Sequence, residues 1–128
     1  MSVIVGIAGA SRNAALALCD AGRIVGVCEH ARITRTRRAA LRPGQLPKET
    51  LETMLQLGGR SEEDISTYAV AERAIQLPVG RPVEYIDHHL AHAATAFYSS
   101  PFEDATILVC DRSAVSYTHL TLPTIYSV

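Results

Sequence analysis

His88 and His92 stand four residues apart. On a helix that spacing puts both imidazoles on one face, one turn from each other. Two neutral imidazoles so placed can bind one divalent transition metal. Asp111 follows the apolar run from Thr106 to Cys110, at a strand's C-terminal edge, where ligand sites of α/β proteins tend to lie. A carboxylate is a natural third ligand, and two histidines with one carboxylate and open positions favour Fe(II) or a similar ion. A bare His-x-x-x-His pair reads more readily as a satisfied histidine pair on a surface helix; Asp111 shifts the weight toward a metal site. His89 points roughly 100° away from His88. It can lie behind the ligands, touch a substrate or face solvent, and the sequence leaves the three open. His88 and His89 also fall near the expected helix N-terminus, where the dipole favours an anion. One site there could hold a metal and a phosphate together.

Two other segments could meet phosphate. Of the chain's basic residues, Arg32, Arg35, Arg37, Arg38 and Arg42 crowd one stretch. Such a cluster after a strand can hold phosphate bidentately, or it can be a solvated loop, which composition alone favours. Aromatic partners for single-stranded nucleic acid are missing nearby. The run Gly6-Ile7-Ala8-Gly9-Ala10-Ser11-Arg12-Asn13 has small residues that let a ligand come close to the backbone. Arg12 and Asn13 are its candidate phosphate contacts. No Gly-Lys-Ser/Thr follows, so it is not a P-loop.

The elements that must position these groups follow from pattern. Val3 to Ala8, Ala14 to Cys19 and Ile24 to Cys28 are short apolar runs. Asp20-Ala21-Gly22-Arg23 has turn chemistry, so the first third reads as an antiparallel meander. Arg32 to Pro43 reads as basic and irregular. Pro47 to Gly58 reads as a helix, with Leu51, Met54 and Leu55 at helical spacing. Ser61-Glu62-Glu63-Asp64 resembles a helix start. Tyr68 to Ala71 and Val83 to Ile86 are short strands. Asp87 caps a helix from His88 to about Tyr98, with Leu90, Ala94 and Phe97 on its apolar face. Thr106 to Cys110 is a strand. Strands followed by alternating helices and strands imply an α/β fold with a mixed sheet and flanking helices.

The chain has 128 residues, room for one small domain. An apolar content of 48% suits a folded core. A net charge of -1 gives no global attraction to nucleic acid or an anionic membrane. No apolar stretch approaches the about 20 residues that span a bilayer. Cys19, Cys28 and Cys110 form no Cys-x-x-Cys pair, and they read as buried free thiols of a cytoplasmic protein. Residues 115–128 show no clear periodicity and resemble translated sequencing-adaptor tails. They are expected to be a non-native tail after a natural sequence ending near Ala114, a genuine irregular tail being the alternative.

These features, in this order, resemble the O-carbamoyltransferases of nodulation-factor and antibiotic biosynthesis. The likeness runs from about Val3 to Ala114. It rests on the Gly6-Ile7 start, the Asp20 to Val25 hairpin, the Glu29 to Arg35 stretch and, above all, Asp87-His88-His89-Leu90-Ala91-His92-Ala93 through Phe102, followed by the strand ending in Asp111. The resemblance implies an actin/hexokinase/Hsp70-like, ribonuclease H-like fold, of which residues 1–114 would be the N-terminal half. It implies that carbamoyl phosphate and ATP form a carbamoyl-adenylate, whose carbamoyl group passes to a hydroxyl acceptor. A metal, commonly iron, would sit on His88, His92 and Asp111. The related tRNA threonylcarbamoyladenosine-modifying proteins are the alternative, and a non-catalytic metal- or nucleotide-binding module is another. Arg12-Asn13 departs from the family's His-Asp, and Glu29-His30-Ala31-Arg32 departs from its Glu-Glu-Arg. The family's second half and C-terminal domain, which complete the site, are expected to lie outside this chain.

Overall fold

The computed structural model describes residues 2–10, 12–41, 46–72, 75, 80–111 and 115–121, the last stretch as backbone only. The chain forms two compact units, Met1–Ile86 and Asp87–Val128.

The first unit begins with the expected meander: β1 (Val3–Ala8), β2 (Ala15–Asp20) and β3 (Arg23–Glu29). The turn between β2 and β3 has Ala21 at φ 50 and Gly22 at φ 80, the two consecutive positive values a tight hairpin requires. β4 (Ile65–Val70) and β5 (Val83–Tyr85) then add in parallel, giving the order β3-β2-β1-β4-β5. The sheet is therefore mixed, as expected.

Alternation explains the core. Val3, Val5 and Ile7 of β1 are buried, as are Leu16 and Leu18 of β2 and Ile65, Tyr68 and Val70 of β4. The register places Val5 opposite Leu18 and Tyr68, so these side chains share one sheet face. Helix α2 (Lys48–Leu57) buries Leu51, Met54 and Leu55 in the same core. It ends at Gly58, where an added Cβ would collide with Leu18 Cδ2. Beyond it, Arg60 donates to Asp20 through Nε at 2.8 Å and its terminal nitrogen lies 2.6 Å from the same oxygen. This half-exposed pair is worth about 1 kcal/mol or less.

Two local expectations change. The basic stretch opens with a short helix, α1 (His30–Thr34), which polar spacing did not signal. Ser61 caps only one 3-10 turn, Glu62–Asp64, because β4 begins at Ile65. Arg42 and Pro43 lie outside the described residues.

The second unit pairs helix α3 (His88–Tyr98) with strands β6 (Asp104–Cys110) and β7 (Val115–Thr121). Asp87 accepts the Leu90 backbone N–H at 3.1 Å, a cap worth about 1 kcal/mol. β7 runs antiparallel along all of β6, from Asp104↔Thr121 to Cys110↔Val115. The pattern of residues 115–121 did not announce this strand, and residues 122–128 lie outside the described residues. Ala93 and Phe97 of α3 pack on Ile107 and Val109 of β6, flanked by Ala105.

That seam differs from the expected one. Ala93 and Phe97 are buried, whereas Leu90 is 46% exposed and Ala94 half-buried. The hairpin meets α3 along the line His89–Ala93–Phe97, one position round from Leu90. The cysteine expectation also needs correcting: Cys28 is buried, Cys19 half-buried and Cys110 exposed. Cys110 is out of phase with Ile107 and Val109, so it shares the open face with Thr106 and Leu108. Among the described residues, no helix is long and apolar enough to cross a membrane.

Candidate metal centre

Two periodicities converge in the second unit. On β6, Ile107 and Val109 face α3, and Asp111 continues that alternation one step past the strand. On α3, Asp87 fixes the first turn, which carries His88 and His89, with His92 one turn on. The result brings three side chains together: ligand atoms of His88, His92 and Asp111 all lie within 4.8 Å of one another.

His92 Nε2 is 3.1 Å from His88 Nε2, which is 3.0 Å from Asp111 Oδ2. A neutral imidazole carries a proton on one ring nitrogen only. If His88 Nε2 is protonated and donates to Asp111, it has no lone pair for His92. If it is bare and accepts from His92, it meets the carboxylate lone pair to lone pair. Either one His88 N–H is shared between Asp111 and a bare His92 nitrogen, or a cation would stand among the three atoms. Donors bound about 2.0–2.1 Å from one metal stand roughly 3.0–3.5 Å apart, the spacing of both contacts. The donor types and these two separations are those a divalent metal uses, and all three atoms lie within 4.8 Å of one another. The side chains are 49% exposed at His88 and 22% at Asp111, so an ion can arrive from solvent.

His89 lies outside that mutual set but not outside the cluster. Its Nε2 is 3.2 Å from the same Asp111 oxygen, and its side chain is 19% exposed.

The other candidate residues belong to the first unit. Arg12 and Asn13 are exposed in the β1–β2 loop, with Asn13 at φ 53; Ser11 lies outside the described residues. The loop is tied to the basic stretch by backbone bonds: Asn13 donates to the Arg38 carbonyl at 3.4 Å and Ala14 to that of Ala39 at 2.9 Å. Gly9, at φ +90, holds the loop closed, and a Cβ there would lie 2.5 Å from the Ala14 Cα. Arg32 pairs with Glu29 at 3.7 Å, both highly exposed, and Arg35 is the left-handed cap of α1 at φ 57. Thus Arg12 and Asn13 adjoin the Arg38 backbone, while Arg32 and Arg35 sit on and after α1.

Sequence reasoning missed His30. Its Nδ1 is 2.6 Å from Oγ1 of Thr50, a fully buried residue of α2. His30 lines a cavity of about 390 Å³ together with Thr34, Thr36, Lys48 and Glu49. Only a contact across the fold, between residues far apart in sequence, reveals it. Burial, with the Glu29 charge in second place, pushes the Cys28 thiol up, which keeps it from acting as a thiolate.

No family model matches the chain, and no curated protein matches it. Among solved structures it is similar to YeaZ from Pseudomonas aeruginosa, with a TM-score of 0.58 and 14% identity over 95% of this chain. YeaZ is an actin/hexokinase/Hsp70-like protein. This chain has that fold. It spans 60% of the length of YeaZ. At this identity the likeness speaks for architecture alone.

Proposed function

We propose that this chain is the N-terminal part of an ATP- and metal-dependent O-carbamoyltransferase acting on a small hydroxyl acceptor. The observation that carries the reading is the convergence of His88, His92 and Asp111 around one point. The ordered motifs resembling those transferases, on an actin/hexokinase/Hsp70-like fold, support it. His88, His92 and Asp111 would hold the metal, Fe(II) by the chemistry of the donor set. The ion supplies positive charge that holds phosphate oxygens and offsets charge in the transition state. Arg12, Arg32 and Arg35 offer guanidinium donors to phosphate, and Asn13 an amide. Water would cleave carbamoyl phosphate to carbamate and inorganic phosphate, and a carbamate oxygen would attack the α-phosphorus of ATP, displacing pyrophosphate to give the carbamoyl-adenylate. In transfer, the acceptor oxygen forms the new C–O bond, the bond to AMP breaks with its electron pair on AMP, and the hydroxyl proton goes to solvent.

In the longer enzyme, His88→Ala and His92→Ala should each strip the bound metal and stop carbamoyl transfer. Unchanged metal content in both variants would sink the ligand assignment. The 128-residue chain alone is expected to bind metal weakly and turn nothing over; carbamoyl transfer by it would contradict the proposal that a missing part completes the site.

Threonylcarbamoyl transfer to tRNA is the second reading, and the fold similarity to YeaZ is compatible with it. The net charge of -1 and the doubled histidine favour the small acceptor. Assaying the longer enzyme with tRNA and with small polyols separates the two.

A further inference from the structure

Resting on the metal-centre reading, we infer that His89 is a positioning residue, which fixes the Asp111 carboxylate for the ion held by His88 and His92. The folding pattern puts it there. His89 heads the line His89–Ala93–Phe97, whose last two members are the buried side of α3. Asp111 heads the matching line on β6, after Ile107 and Val109, which are likewise buried. The apolar contact of the two lines sets the helix on the strand, and its polar end is the His89–Asp111 hydrogen bond at 3.2 Å.

Two observations separate His89 from a ligand. The mutual set of donor atoms comprises His88, His92 and Asp111 without it. Its side chain is 19% exposed against 49% for His88, so it stands behind Asp111 rather than at the mouth of the site. An imidazole N–H on Asp111 Oδ2 donates to the carboxylate and restricts its rotation. Partners behind a metal ligand typically change metal affinity 10–100-fold when removed. The doubled histidine is thereby explained: the first imidazole binds the ion, and the second holds the carboxylate.

The test titrates the 128-residue chain with Co²⁺, reading affinity by competition with a chromophoric chelator and the ion's environment by its visible absorption. His89→Ala should weaken Co²⁺ binding by about 10–100-fold, with far-ultraviolet circular dichroism unchanged. His89→Gln keeps an N–H donor at a similar reach. It should restore most of the affinity and the wild-type Co²⁺ spectrum. Wild-type affinity in His89→Ala, with binding lost in His92→Ala, would overturn the positioning role and leave the metal centre intact. Wild-type affinity in both would instead remove the metal centre itself. A His89→Gln variant as weak as His89→Ala, with an altered Co²⁺ spectrum, would make His89 a ligand and also overturn the inference.

Discussion

In the first unit, Val5, Leu16, Leu18 and Tyr68 of the sheet and Leu51 and Met54 of α2 share one broad apolar core. In the second, the buried side chains among the described residues are Ala93, Phe97, Ile107 and Val109. The helix of the second unit carries His88, His89 and His92, whereas α2 presents its core side to the sheet and carries no histidine. The same kind of element thus does two jobs. Where apolar area is ample, the helix serves stability. In the second unit the helix presents polar groups at its first turn, and an ion bound there would add stability.

Deleting a large buried apolar group in each unit gives the biggest expected effects. Phe97→Ala should cost about 3–5 kcal/mol, collapse amide protection in α3 and β6, and abolish Co²⁺ binding while β1 amides stay protected. Leu18→Ala should cost about 2–5 kcal/mol in the first unit and leave Co²⁺ affinity as it was. Hydrogen exchange read by mass spectrometry checks both. Equal loss of protection in both units from either change would erase the distinction between them.

Gly9→Ala is smaller and confined to the first unit. The positive φ and the 2.5 Å approach to the Ala14 Cα make it cost about 1–3 kcal/mol. Chemical denaturation should show the loss, and a neutral result would mean the loop rearranges freely around the Arg38–Ala39 backbone.

The smallest effect is at Asp64. The Ser61 backbone N–H and then its hydroxyl hold this carboxyl below its ordinary value of 3.8. A depressed carboxyl stabilises the fold above its unfolded pKa and loses that contribution as pH falls through the lower folded value. The Ser61 amide should therefore stay protected at pH 4 and lose protection only in stronger acid. An Asp64→Asn variant should lack that acid step; persistence of the step would assign it to another group.

Much of this arrangement was legible in local pattern. The turn chemistry of Asp20 to Arg23 marked the meander, Pro47 and Gly58 bracketed α2, and Asp87 marked the start of α3. The pair His88 and His92 was legible because helical spacing alone brings it together. What local pattern hides is the direction from which a neighbour arrives. The hairpin approaches α3 along Ala93 and Phe97, which left Leu90 outside and put His89 against Asp111. Parity on β6 likewise exposes Cys110. The His30–Thr50 bond depends on how α1 meets α2, which neither segment encodes alone. For β7, the pairing with β6 defines the strand, and residues 115–121 show little alternation of their own.

The central claim is that His88, His92 and Asp111 hold one divalent ion. The most direct test is a Co²⁺ titration of the 128-residue chain beside its His92→Ala variant, followed by visible absorption and chelator competition. One saturable ion per chain is expected, with new d–d bands and at least about 100-fold weaker binding in the variant, since one of the three proposed ligands is gone. Equal binding by the two proteins, or no saturable binding by either, would contradict it.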